Sequence, residues 1–257
     1  MEIKKILVSQ PKPADPKSAY YRIAERYGVD LVFRPFIKVE GLSAKEFRQQ
    51  RINILDYTAI IFTARGAVNH FFRLCEELRI TMPETMKYFC TTEQIAYYLQ
   101  HFITYRKRKV FKGTNGKLDG LTGYFNRHNK ERFLQIVSDV HKDEDSHILD
   151  ELGLSHATAV MYRTVSNDFT ADEPRDYDAM LFFSPAGIDS LLKNFPDIHE
   201  RQICIGTLGA PAAKAVEAAG LKLDFHAPTP EAPSMTAALE RFLKENQAPV
   251  KGDGDEQ

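Results

Sequence analysis

Two stretches far apart in the chain carry the same pattern, and that repetition sets the terms for the fold. Residues 56–72 run Asp56-Tyr57-Thr58-Ala59-Ile60-Ile61-Phe62-Thr63-Ala64-Arg65-Gly66-Ala67-Val68-Asn69-His70-Phe71-Phe72. Residues 177–192 run Tyr177-Asp178-Ala179-Met180-Leu181-Phe182-Phe183-Ser184-Pro185-Ala186-Gly187-Ile188-Asp189-Ser190-Leu191-Leu192. Each is an apolar run, a hydroxyl residue, a small-residue turn and then apolar residues at helical spacing, which predicts strand, tight turn and helix. Matching the copies on their hydroxyls pairs Thr63 with Ser184 and Gly66 with Gly187, and makes the later copy one residue longer.

The first amides of a helix have no intrahelical acceptor and carry the positive end of its dipole. A hydroxyl and a glycine at that point let an anionic group approach them. The same hydroxyl can instead cap its own helix, which is the commoner use. Two matched turns in two half-chains favour ligand contacts at Thr63, Arg65 and Gly66 in one half and at Ser184, Pro185, Ala186 and Gly187 in the other.

Strands and helices alternate along the rest of the chain. Strands are expected at residues 5–10, 31–39, 86–90, 109–111, 132–137, 158–165, 203–206 and 221–226. Helices are expected at 18–27 (ended by Gly28), 43–53 (a Ser43/Glu46 capping box), 91–101, 118–126, 143–152, 211–219 and 235–245 (capped by Ser234). This alternation argues for an α/β protein of two doubly wound parallel-sheet domains. One domain takes residues 42–154 and the other residues 1–36 and 168–247, so that one is inserted in the other. A two-stranded linker, residues 31–41 and 157–167, joins them, and Pro35 marks an edge or a bridge. Residues 248–257 read as a disordered tail. Ligands of open parallel sheets bind beyond the carboxyl ends of the strands. Here those ends are expected to face each other across a hinge, which adds Thr91, Thr92, Thr114, Ser138, Gly209 and Ala210 to the candidate contacts.

Composition closes off several function classes. A net charge of -1 over 257 residues gives no general attraction to nucleic acid or acidic membranes. No apolar run reaches the ~20 residues that span a bilayer, and no signal peptide precedes the first strand. Cys75, Cys90 and Cys204 lack metal or redox spacing and read as buried thiols in a reducing, cytoplasmic setting. His128, His141, His147 and His156 lack the spacing of a helical metal pair. Gly206-Thr207-Leu208-Gly209 misses the third glycine of a dinucleotide fingerprint, Gly113 to Lys117 misses the phosphate-loop pattern, and no nucleophile elbow is present. No metal or cofactor is expected. The basic run Tyr105-Arg106-Lys107-Arg108-Lys109 is a solvated face, or steers a polyanion.

Several segments together resemble the uroporphyrinogen-III synthase family, in its Bacteroidetes-type form. They are Phe62-Thr63 with Ala67-Val68, Val160-Met161-Tyr162-Arg163-Thr164-Val165, Phe182-Phe183-Ser184-Pro185 with Gly187, Ala213-Lys214-Ala215-Val216-Glu217 with Ala219-Gly220, and Pro228 to Met235. Their order and spacing agree over nearly the whole chain. The resemblance implies a bilobed, cofactor-independent hydro-lyase that cyclises hydroxymethylbilane, inverts its last pyrrole ring and releases water on the path to haem. It implies Tyr162 as the catalytic acid, although the same ring could simply pack in the linker. A cytoplasmic monomer is expected. The chain departs from the family where hydroxyls are common: Ala64, Ile95, Pro211 and Ala212 stand at such places. Those losses leave a second reading open, a catalytically weak tetrapyrrole-binding relative acting as sensor or carrier.

Overall fold

Each half of the chain is built on a largely parallel sheet with one inner strand that is apolar at every position, Ala59–Phe62 in one and Ala179–Phe182 in the other. The computed structural model describes residues 3–141 and 147–250. The chain opens with β1 (Lys5–Val8), α1 (Ala19–Tyr27) and β2 (Asp30–Phe33). It continues through β3 (Ile37–Gly41), α2 (Ala44–Gln49), β4 (Ala59–Phe62), α3 (Arg65–Glu77), β5 (Lys87–Cys90), α4 (Glu93–Tyr98) and β6 (Val110–Lys112). Then come α5 (Thr122–Arg127), β7 (Arg132–Ser138), α6 (His147–Glu151) and β8 (Ser155–Ser166). It closes with β9 (Ala179–Phe182), α7 (Pro185–Asn194), β10 (Cys204–Leu208), α8 (Ala210–Ala218), β11 (Phe225–Ala227) and α9 (Met235–Asn246).

The chain divides into unit 1, Met1–Lys38 with Val165–Gln257, and unit 2, Val39–Thr164. Unit 1 holds a five-stranded sheet in the order β11-β10-β9-β1-β2, its neighbours all parallel. The six-stranded sheet runs β3-β8-β7-β4-β5-β6, with β8 through β6 parallel. Strands covered by helices on both faces are apolar throughout, and β4 and β9 are buried at all four positions. Side chains alternate across them. In unit 1, Ile6, Val8 and Leu181 pack with Tyr20, Ile23, Leu239 and Leu243. Leu7, Met180 and Phe182 pack on the other face with Phe36, Ile188, Leu191 and Phe195. In unit 2, Ile60, Phe62 and Tyr88 face Val68, Phe71 and Leu74, whereas Ile61, Phe89 and Phe133 face Leu121, Phe125 and Leu149. Cys75 and Cys90 are buried free thiols, and burial pushes both up to about 12; Cys204, at the start of β10, is half-buried.

The structure shifts the register of the repeated unit. β4 and β9 each begin at an alanine and run four residues, so the copies have the same length. Ala64 is the N-cap of α3 and Ser184 that of α7. Ser184 therefore matches Ala64, not Thr63, and Gly187 matches Ala67, not Gly66. An N-cap needs extended backbone one residue ahead of the first helical residue, and only the second copy puts a hydroxyl there. The Ser184 side chain accepts from the Gly187 amide at 3.2 Å. Ser184→Ala is expected to cost about 1 kcal/mol, read as a lowered urea midpoint with unchanged slope.

Expected strand 31–39 is broken into β2 and β3, which belong to different sheets. Pro35 has no amide to donate, and the break is held by side chains instead. Arg34 donates to the carbonyls of Pro35, Asn167 and Asp168 at 2.6–2.8 Å and pairs with Glu173 at 2.7 Å. Of the residues expected as a separate linker ladder, 37–41 form β3 and 157–166 lie in β8, both in the six-stranded sheet, whereas 31–33 lie in β2. The helix expected over 43–53 stops at Gln49, because Arg51 takes a positive φ of 55° and Asn53 caps a short turn of its own. Its capping box is present, with the Ser43 amide donating to Glu46 at 2.9 Å. The start of the helix expected from residue 143 lies outside the described residues, as do residues 251–257 of the tail. Ahead of those, the Gln247 side chain accepts from the Ile3 amide and the Val250 amide donates to the Arg26 carbonyl.

The Arg34 guanidinium holds Glu173 at about 2, well below its ordinary 4.5, helped by the Thr170 amide and hydroxyl and opposed by burial. A carboxylate depressed in the folded state contributes stability above its unfolded pKa and loses it as pH falls through the folded value. Glu173→Gln should therefore unfold at lower urea than wild type near pH 7. That gap should close as pH drops from about 4.5 towards 2.

Candidate active site

The candidate residues of unit 2 gather at one edge of its sheet. From β4 the chain winds outward through β5 to β6, then returns to the other side of β4 for β7 and β8. The junction of β4 and β7 is thus a topological switch point, where open α/β sheets bind ligands beyond their strand ends. Thr63 to Gly66 follow β4, Thr91 and Thr92 follow β5, Thr114 follows β6, and Ser138 ends β7.

Tyr162 lies beside this row on β8. Val137 is in register with Val160 but Ser138 with Tyr162, so Met161 is the extra residue of a bulge. A bulge re-aims the side chain that follows it, and here the successive residues Met161 and Tyr162 pack on the same core cluster. The Tyr162 ring stacks on His70 of α3, centroids 5.1 Å apart and planes 19° apart. Burial raises the Tyr162 phenol above its ordinary 10, so it keeps its proton at neutral pH. His70 is pushed down by burial and then by Arg73, and is neutral there. The Nδ1 atom of His70 and the Nε atom of Arg73 are buried with no hydrogen-bond partner among the described residues. Gly41 makes the close approach possible: a Cβ there would lie 2.5 Å from the Arg73 guanidinium and 2.6 Å from His70 Nδ1. Sequence reading missed His70; its signal was the Gly66, His70, Arg73 spacing that places all three on one helix face.

The turn after β4 is open. Ala64 offers no capping side chain, and a Cβ on Gly66 would meet nothing within 4 Å. Arg65 sits over the Tyr98 ring at 5.6 Å, with no carboxylate paired to it among the described residues. A positive group beside free helical amides suits a carboxylate. Thr91, by contrast, is fully buried, and its hydroxyl donates to the Thr63 carbonyl at 3.4 Å. It braces the turn and presents no free hydroxyl. Thr92 caps α4, accepting from the Ile95 amide at 3.3 Å. Thr114 is exposed, but no helix starts there: Asn115 accepts from the Lys117 amide, and the next helical turn begins at Leu118. Arg106 and Lys109 of the basic run are not at this edge; they stand where β6 begins.

In unit 1 the candidates occupy the matching edge. Ser184, Pro185, Ala186 and Gly187 form the start of α7 after β9, and Gly209 and Ala210 open α8 after β10. Gly209 takes φ 90°, a conformation that favours glycine. Among the described residues no group of His, Cys, Asp and Glu could hold a metal ion, and no helix is long and apolar enough to cross a membrane.

Comparison with known families shows which family the chain belongs to. The model of the family "Uroporphyrinogen-III synthase HemD" matches residues 18–237. The chain belongs to the uroporphyrinogen-III synthase family. The uroporphyrinogen-III synthetase of Helicobacter pylori aligns over 95% of this chain and 100% of its own, at 15% identity and a TM-score of 0.54. A mutant uroporphyrinogen III synthase from Thermus thermophilus covers 94% of this chain and 99% of its own, at 15% identity and a TM-score of 0.47. The first of these likenesses supports the two-unit α/β fold. No curated protein matches the chain. Of the positions where the resemblance led a hydroxyl to be expected, Ala64 leaves α3 without a side-chain cap and Ile95 is buried in the core of unit 2.

Proposed function

We propose that this chain cyclises hydroxymethylbilane to uroporphyrinogen III, and the family match over residues 18–237 is the observation that carries this reading. The substrate is a flexible chain of four pyrroles studded with carboxylates. Open helical amides at Arg65 and Gly66, and the turns at Thr63, Thr92, Thr114 and Ser138, suit those carboxylates in unit 2. The starts of α7 (Ser184 to Gly187) and α8 (Gly209 and Ala210) do so in unit 1. Thr91 serves by bracing the Thr63 turn.

The chemistry needs one proton moved and one ring turned over. Tyr162 donates its phenolic proton to the hydroxymethyl oxygen as the carbon–oxygen bond breaks, and water leaves. The pyrrole nitrogen lone pair fills the vacated carbon to give an azafulvenium, which the last ring attacks at its substituted carbon to form a spiro centre. Cleavage and re-closure invert that ring, and loss of a ring proton restores the phenol. A positioned acid speeds such a step by about 10²- to 10⁴-fold. Holding the spiro geometry against direct closure is the protein's remaining task. In this reading the chain works without a resident cofactor, as a cytoplasmic monomer.

The test is to incubate the protein with freshly generated hydroxymethylbilane and resolve the product isomers chromatographically. Accumulation of the inverted isomer is expected. Formation of the uninverted ring alone, at the spontaneous rate, would reject the proposal.

A further inference from the structure

We infer that unit 2 carries a second small-molecule site, at the amino edge of its sheet, for an amphipathic carboxylate. A cavity of about 410 Å³ opens where β5 and β6 begin, within the size range of small-molecule pockets. The proposed catalytic row lies at the carboxyl ends of the same strands, and none of its residues lines the cavity. Neither this site nor its test depends on the activity proposed above.

One wall is apolar. Phe72 and Phe102 stack with centroids 4.8 Å apart and planes within 8°, and Phe102 is still 38% exposed. Met86 lines the floor beside them. An aromatic face that the fold leaves open favours an apolar ligand body.

The polar groups are arranged by depth. Tyr88 is only 4% exposed and lines the cavity, yet its hydroxyl has no hydrogen-bond partner among the described residues. Burial keeps the proton on this phenol, so it stands ready to donate. Lys109 precedes Val110, the register partner of Tyr88; it is a half-buried residue that lines the cavity and has no ion pair among the described residues. Arg106 is 3.3 Å from Glu84, whose side chain is 81% exposed and lies out in solvent. Two carboxylates also line the cavity, Glu76 and Glu84, and both residues are exposed, whereas Lys109 is half-buried and Tyr88 buried. That order fits a ligand acid group held by Lys109 and Tyr88, with its apolar part against the phenylalanines.

Isothermal titration of the full chain with decanoate tests this, with decyltrimethylammonium and acetate as controls. Saturable one-to-one binding of decanoate is expected, with neither control binding. Lys109→Glu should weaken decanoate by about tenfold or more, the usual worth of a charge-assisted hydrogen bond. Tyr88→Phe keeps the ring and should weaken it by a smaller factor. Absence of saturable decanoate binding, equal binding of the cation, or unchanged affinity in Lys109→Glu would overturn the assignment. Should Tyr88→Phe fail to fold, Lys109→Glu decides alone.

Discussion

Tyr162→Phe is expected to reduce formation of the inverted product by about 10²- to 10⁴-fold, the range lost when a positioned acid is removed. The aromatic ring stays, so the stack on His70 and the packing against Met161 should persist, and the far-ultraviolet circular dichroism and urea midpoint should match wild type. Substrate affinity should change little, because the helical amides and Arg65 are untouched. The loss therefore falls on kcat. The pH profile gives a second reading. Burial raises the phenol and lowers His70, so neither titrates between about pH 7 and 9 and the wild-type rate should be flat there. Unchanged turnover in the phenylalanine variant would make Tyr162 a packing residue of β8 and leave the departing water to another donor.

The second large effect concerns stability. Phe36 is fully buried between β2 and β3, edge-on to Phe169 and Phe182 at 5.0 Å and stacked on Phe195 at 6.1 Å. Phe36→Ala should destabilise unit 1 by about 3–5 kcal/mol, the range for deleting a buried phenylalanine. Its carbonyl accepts from both the Asn167 amide and the Ser190 hydroxyl, so loss of the ring also loosens the break at Pro35. Urea unfolding followed by hydrogen exchange should show early opening of β1, β2 and β9 while the amides of β4 and β5 stay protected. A uniform loss across both sheets would mean that the two units unfold as one.

The alternation of strands and helices was legible because periodicity and punctuation agreed. Gly28 ends α1 in a left-handed cap, Ser43 and Glu46 form the capping box of α2, and Ser234 caps α9. What misled was local. Both copies of the repeat contain a hydroxyl near the turn, but a one-residue difference decides whether it caps the helix or sits before the cap. Letters cannot show which backbone conformation each residue takes. Thr91 looked like its neighbour Thr92, and only tertiary packing turns its hydroxyl inward. His70 was hidden because its role comes from a bulge in β8, far away in sequence. Lys109 and Arg106 read as part of one charged run, yet strand β6 gives them a place at the edge opposite the switch point.

The break at Pro35 has a consequence for how such a chain can be assembled. The Phe36 carbonyl and the Asn167 amide are 2.8 Å apart, so the chain leaves unit 1 for Val39–Thr164 and returns to it at neighbouring points. Any sequence whose two ends lie on neighbouring strands could be spliced in at that point without rerouting the host sheet. A single insertion event, followed by independent drift of host and guest, is enough to produce a protein of this design.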